Sequence, residues 1–524
     1  MPRIIFNVPE TRTLQWMVAI LMVLFVAAPT ISTGANVQDN FSLKQQAGYF
    51  EPETMKAWTK AGAKVGWFGL NKEGTLKFAI RRDDLKRALP ALIIDRMVKD
   101  DFFQRLPAPG IPFGLILTFT GMSDAGMKGL AKLTNLQTLD LSNTQVTDAG
   151  LEYLTKLTNL QDLKLTSTDM TKARLKELAK LTNLQTLYLS NTKVTDEGVK
   201  ELATLTKLHT LDLSQTQVTN EGVKDLATLT NLRTLNLSFT KVTDAGLKDL
   251  ATHTKLHTLD LTFTKVKDAG LKDLAKLPKL HSLCLEYTLV TGTGLKYLAM
   301  FPNLHSLSLK RTEVTDAVLK ELVTLTNLQI LDLSSTKVTE TGLKELANIT
   351  NLHTLNLSST KVTDAGLKEL ANITNLHTLN LSSTKVTETG LKELAKLTNL
   401  QSLNLSDTEV TYLGLKNLAT LTNLHTLDLS NNLVIDAVLK KLDRLTNLQT
   451  LDLSRTEVTD AGMKDLAKLT NLHTLNLFHT EVSDAGLKDL AKLTNLQTLK
   501  LGETQVTDAG RAELQTKLPG CYIQ

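Results

Sequence analysis

An α/β solenoid, with a parallel sheet on one face and short helices on the other, is the fold this sequence predicts, and three observations carry it. A threonine recurs at a fixed step of 24 from Thr120 to Thr504, seventeen positions of which only Asn432 departs. The same phrase surrounds each one, as at Leu133 to Leu151: L-T-N-L-Q-T-L-D-L-S-N-T-Q-V-T-D-A-G-L. Within it the apolar spacing changes from alternate residues to helical steps. A fixed period of about 20–50 residues marks a chain whose units bury their apolar faces only against their neighbours.

Each unit reads the same way. Leu139 and Leu141 fall on one side of an extended segment, while Thr138, Asp140 and Ser142 fall on the other, so period two makes it a strand. After Val146, Leu151, Leu154 and Leu157 follow at helical spacing, with Thr147 or Asp148 placed to cap the helix. Asp196 with Lys200, and Asp244 with Lys248, stand four apart and are expected to pair along it. The repeated threonine is expected to face inward, its hydroxyl satisfying backbone groups that the turn leaves unpaired.

In chain order, residues 1–35 read as an export signal. Arg3 and Arg12 flank thirteen unbroken apolar residues, Trp16 to Ala28, which fit a signal core better than a membrane span of about 20. The alternative is an uncleaved anchor over residues 14–31. Residues 36–112 break the repeat and concentrate Trp58, Trp67, Phe68 and Phe78, enough apolar material to cap the open end of the sheet. Within them K-E-G at Lys72 to Gly74 separates two strand-like runs, and Arg81 to Phe103 reads as helical, with Pro90 starting or kinking it. The array occupies residues 113–510, about 17 units, and 511–524 form a second cap, where Cys521 takes a place near a core leucine.

Chemistry is sparse. The net charge of +5, with both signs plentiful, is not the basic excess of a nucleic-acid binder. Cys284 and Cys521 lie about ten units apart, on the order of 50 Å at strand spacing, too far for a disulfide. No nucleophile elbow, phosphate loop, paired-cysteine site or H-E-x-x-H is present, so no catalytic residue, cofactor or metal is expected. Eight of the ten histidines share one repeat position, among them His257, His281 and His305. They read as a polar column interchangeable with Gln, with metal capture the sharper alternative.

Departures from the repeat say more than the repeat does. The position before each threonine is usually small and polar, but three successive units place Phe239, Phe263 and Tyr287 there. Cys284, Glu286, Lys310 and Arg311 stand beside them, and Lys207, Lys255 and Lys279 replace Asn nearby. Aromatics with arginine are enriched at interface hot spots, so these residues are the candidate partner-binding site. A structural spine of rings packed on one another is the other reading. Phe478 and His479 form a smaller departure.

The repeated phrase resembles the leucine-rich repeat, in the variant with Thr where many relatives have Asn, and is similar to the large exported repeat proteins of bacteria. Its T-D-A-G-L segment also resembles cysteine-containing repeats of F-box proteins. The resemblance covers about residues 113–523 and implies a horseshoe, its sheet concave and its helices convex, that binds proteins or other large ligands. Asn432 restores the commoner Asn and reads as a conservative swap. The function expected is therefore a non-enzymatic scaffold, exported to the periplasm, cell surface or medium, that engages a protein or polysaccharide but no nucleic acid, and meets a membrane only through an uncleaved N-terminus. A ubiquitin-ligase adaptor is one alternative, disfavoured by the export signal and the lack of an F-box. An enzyme or sensor working through residues 36–112 is another, though no catalytic constellation stands there.

Overall fold

The structure, a computed structural model, describes residues 50–70, 76–79 and 86–524; the export signal and the Lys72–Gly74 turn lie outside them. The described residues belong to one compact unit, from Gln46 to Gln524. It opens with helix α1 (Pro52–Lys60), where proline suits the first turn because its missing N–H has no helical partner there. Trp58 is fully buried from this helix, and its Nε1–H donates to Pro107 O at 2.9 Å.

Strand β1 (Lys64–Leu70) pairs antiparallel with β2 (Leu76–Ala79) and with β3 (Lys86–Ile93). β3 then pairs parallel with β4 (Phe113–Ile116), so the segment before the array continues its sheet. This corrects the helix expected over Arg81 to Phe103: among its described residues Lys86–Ile93 is strand, and a helical turn, Phe103–Arg105, begins only at its end. Local propensity lost to tertiary pairing. A-L-P-A-L-I-I is an apolar run with a strand on each side, and Ala91, Leu92 and Ile94 are buried by it. Pro90 lies opposite Trp67 in the antiparallel pair.

From β4 onward seventeen strands run to Lys500, each parallel to the next. The pairing step stays at 24 from Thr138 opposite Asp162 to Thr474 opposite Thr498. Tyr522–Ile523 closes the sheet, and Cys521 is buried beside it. Leu139, Leu141, Val146, Leu151, Leu154 and Leu157 are fully buried, as are their equivalents up to the last unit, where Val506 and Arg511 are less deeply buried. The threonine column faces inward as expected: Thr144 Oγ1 donates to Leu141 O at 2.7 Å and Thr264 Oγ1 to Leu261 O at 2.6 Å.

The aspartate that opens most of the helices does something else than expected. Asp196 does not pair with Lys200; its two oxygens accept the N–H and O–H of Thr219, one unit on, at 2.7 and 2.6 Å. A charge-assisted bond to a partly buried backbone N–H outweighs an exposed ion pair, which contributes about 0–1 kcal/mol. Lysine pairs three residues away instead, as Lys276 does with Asp273 at 3.1 Å. The bracket also explains the glycine of T-D-A-G: a Cβ on Gly150 would lie 2.3 Å from Asp124 Oδ1, the carboxylate of the preceding unit. Threonine donates, aspartate accepts, and glycine leaves room.

Candidate functional site

Each strand ends in a turn whose last outward residue has a left-handed backbone, φ between 52 and 59° in all seventeen units. Asn, Ser and Asp tolerate this region; bulky side chains adopt it rarely. Phe239, Phe263, Tyr287 and Arg311 occupy it in four successive units. Their side chains stack: Phe239 on Phe263 with centroids 4.4 Å apart, Phe263 on Tyr287 at 4.0 Å, and the Arg311 guanidinium 5.2 Å from the Tyr287 centroid. The rings are half-buried and nearly parallel, so their faces meet one another and their edges form a ledge along one margin of the sheet.

Glu286 and Cys284 stand on the sheet face beside this ledge. Glu286 Oε1 accepts the Ser308 hydroxyl at 3.0 Å and lies 3.9 Å from Cys284 Sγ. Burial pushes the Glu286 carboxyl above its ordinary range, partly offset by Ser308 and Lys310. Burial, then Asp260 and Glu286, pushes the Cys284 thiol up to about 12, so it stays protonated and is no nucleophile. Lys310 is half-buried in the same row. The lysines at 207, 255 and 279 are not brought here. They enter strands at the opposite margin, five or more residues away, and Lys207 and Lys255 donate to Asn183 and Asn231 at 2.7 and 2.6 Å.

The histidine column lies on that opposite margin as a second ladder. His257, His281 and His305 stack with centroids 5.1 and 5.2 Å apart. In each, Nδ1–H donates to the carbonyl two residues earlier, at 2.5 to 2.6 Å. Gln185 reaches Gln161 in the same position at 3.4 Å, so Gln and His build one column. Among the described residues no three His, Cys, Asp or Glu side chains are grouped to hold a metal ion.

The sheet face is acidic although the chain is not. Asp140, Asp212, Asp260, Asp332, Asp428 and Asp452 share one column, with Asp162 and Glu286 beside it, against Lys164, Lys310 and Lys500. The column has a local cause: Asp260 Oδ1 accepts the N–H of Thr262 at 2.9 Å, and Asn356 does the same for Ser358 at 3.0 Å. Burial raises the carboxyls of Asp162, Asp212, Asp260 and Asp428.

Two features escape sequence reasoning. Lys164 Nζ lies 3.8 Å from Asp140 and 5.4 and 5.2 Å from the Phe68 and Tyr188 centroids, and burial with Asp212, Asp162 and Asp140 pushes the Tyr188 hydroxyl to about 12. Their signal is that Lys164 and Tyr188 replace Asp or Asn in the column. His253 sits in a core-leucine position, 0% exposed, with Nε2 3.1 Å from Leu226 O and Nδ1 3.3 Å from both Leu250 O and the Thr252 hydroxyl.

A sheet of identical short strands, each returning through a short helix, defines a repeat solenoid with a broad open face. Family models agree: a leucine-rich repeat region matches residues 115–252, and single leucine-rich repeats match 252–275, 324–347, 348–371, 372–395, 396–419, 444–467 and 468–491. The chain belongs to the leucine-rich repeat proteins. Similar solved structures include a leucine-rich repeat protein of Leptospira interrogans, 25% identical, covering 82% of this chain and 100% of its own, TM-score 0.49. An internalin of Listeria monocytogenes is 25% identical over 67% of this chain and 88% of its own, TM-score 0.43. TLR13 in complex with ssRNA13 is 22% identical over 76% and 64%, TM-score 0.52, a likeness of fold. No curated protein matches the chain significantly.

Proposed function

We propose that this protein is an exported, non-enzymatic scaffold whose sheet face engages a protein partner, with its contact centre at Phe239, Phe263, Tyr287 and Arg311 beside Cys284, Glu286 and Lys310. The observation that carries this reading is the ledge itself. Bulky rings hold a backbone position that Ser359 and Ser383 occupy elsewhere, and they remain half exposed. Protein is favoured over polysaccharide because sugars stack on ring faces, and here the faces are covered by one another. Ring edges, a guanidinium and mixed charges suit apolar side chains with polar and basic neighbours. The acidic column favours a partner with a basic surface. Residues 36–112 serve as the N-terminal cap, supported by the pairing of β3 with β4. Export rests on the apolar run Trp16 to Ala28; among the described residues no helix is long and apolar enough to cross a membrane.

Affinity capture from the exported fraction tests this, using the full chain and its Phe263→Ser/Tyr287→Ser variant as parallel baits. A protein retained by the first and lost by the second is expected, with retention falling at high salt. Equal retention by both baits would remove the ledge as the contact centre.

A further inference from the structure

We infer that the array carries a hinge between residues 408 and 438, pinned at Asn432 on the strand side and unfastened on the helix side. At most junctions the carboxylate bracket fastens the helix edge, as where Asp436 accepts the N–H and O–H of Thr459 at 2.9 and 2.7 Å. Single junctions lose it at Lys172, Gly292 and Glu340, each between bracketed neighbours. Only at Glu388 and Tyr412 are two lost in succession. Glu388 leaves Thr411 unserved, and the Thr411 hydroxyl is buried with no partner. Tyr412 has no carboxylate to offer, and Ile435, standing where Thr459 stands one unit on, has no hydroxyl to give; the helix it precedes lacks a side-chain cap.

The departures are coordinated. Glycine follows most aspartate brackets, Arg174 after Asp148 excepted, and there the carboxylate fills the space: a Cβ on Gly462 would lie 2.4 Å from Asp436 Oδ1. Val438 takes that place, nearly buried, where Tyr412 has removed the carboxylate, as Val318 does after Gly292. Tyr412, Leu413 and Leu433 add exposed apolar surface here, at 46, 56 and 59%.

The strand side is fastened more tightly than elsewhere. Threonine in the recurring position bonds within its own unit, but Asn432 reaches the unit before. Its Nδ2 donates to Leu405 O at 2.7 Å, and its Oδ1 accepts the N–H and O–H of Thr408 at 3.2 and 2.9 Å. Thr411 and Leu433 still pair as extended backbone. One edge held and the other released is the mechanical form of a hinge: opening the helix edge about Asn432 changes the angle between the sheet before and after it.

Hydrogen exchange on the full chain tests this. Amides of residues 433–438 are expected to exchange about tenfold or more faster than the equivalent 457–462, because local opening sets the rate. The closing variant Tyr412→Asp/Ile435→Thr/Val438→Gly should bring the two segments within about threefold. Asn432→Thr should extend fast exchange into Ser402–Asn404 and Thr426–Asp428. Equal protection of 433–438 and 457–462 in the unmodified chain overturns the hinge, as does a closing variant that folds without slowing exchange. Should that variant not fold, the unmodified chain and Asn432→Thr still decide.

Discussion

The units around Phe263 and the twin units at 348–371 and 372–395 share one backbone and differ in what stands on it. Leu259 and Leu355 are both fully buried. Thr264 and Thr360 both donate to the carbonyl three residues earlier at 2.6 Å. Phe263 and Ser359 have φ of 55 and 56°. The twins carry serine on the exposed position and differ from each other mainly in D-A-G against E-T-G. The buried leucine, the inward threonine and the left-handed seat are thus the same whichever residue occupies the ledge.

The largest effect should be common to both regions. Leu259→Ala and Leu355→Ala are each expected to cost about 2–5 kcal/mol in urea unfolding, since both leave a cavity in the same interior column. A cost under about 1 kcal/mol for either would mean that its region is packed differently.

A smaller and again equal loss is expected from the threonine column. Thr264→Val and Thr360→Val remove one buried hydroxyl bond each, about 1 kcal/mol. A marked inequality would show that the aromatic units lean on their threonine more than the twins do.

His253 opens the unit that carries Phe263 and sharpens the comparison through pH. Burial lowers its pKa below the ordinary 6.5, so below that value the unfolded chain takes up a proton that the folded chain refuses. Its contribution to stability is full above 6.5 and is lost as pH falls through 6.5 towards the depressed folded value. Asp212, Asp260 and Glu286, raised by burial, act oppositely, with stability growing as pH falls through their folded values. They are common to parent and variant and cancel. His253→Leu should therefore lose less melting temperature than the parent between about pH 7.5 and 5.5. Identical losses would mean that His253 is not held neutral in the core.

The fold is legible in the sequence because each interior position is written seventeen times. What recurs at 24 can be read: buried leucines, inward threonines, and rings that must stack because strand spacing is about 5 Å. What depends on one pairing cannot. β3 forms because β1 and β4 flank it, and nothing local in A-L-P-A-L-I-I announces that. The bracket from Asp196 joins residues 23 apart, while sequence rules look three or four along a helix. The left-handed seat is silent because no glycine occupies it in any unit. Asn432 reads as a swap for threonine, since its extra bonds reach another unit. His253 could be found by counting in steps of 24 from Leu229 and Leu277.

The smallest stability effect is the most telling. If the columns hold the fold and the ledge serves a partner, the melting temperature of the Phe263→Ser/Tyr287→Ser chain decides most directly. Both substitutions place a residue the seat accepts elsewhere, and each lost ring contact is worth only about 0.5–1.5 kcal/mol. In a chain of this size, a shift within about 3 °C of the parent is expected, alongside a more than tenfold loss of affinity for the captured protein. A fall of more than about 6 °C with affinity retained would contradict it, and make the stacked rings a brace for the array.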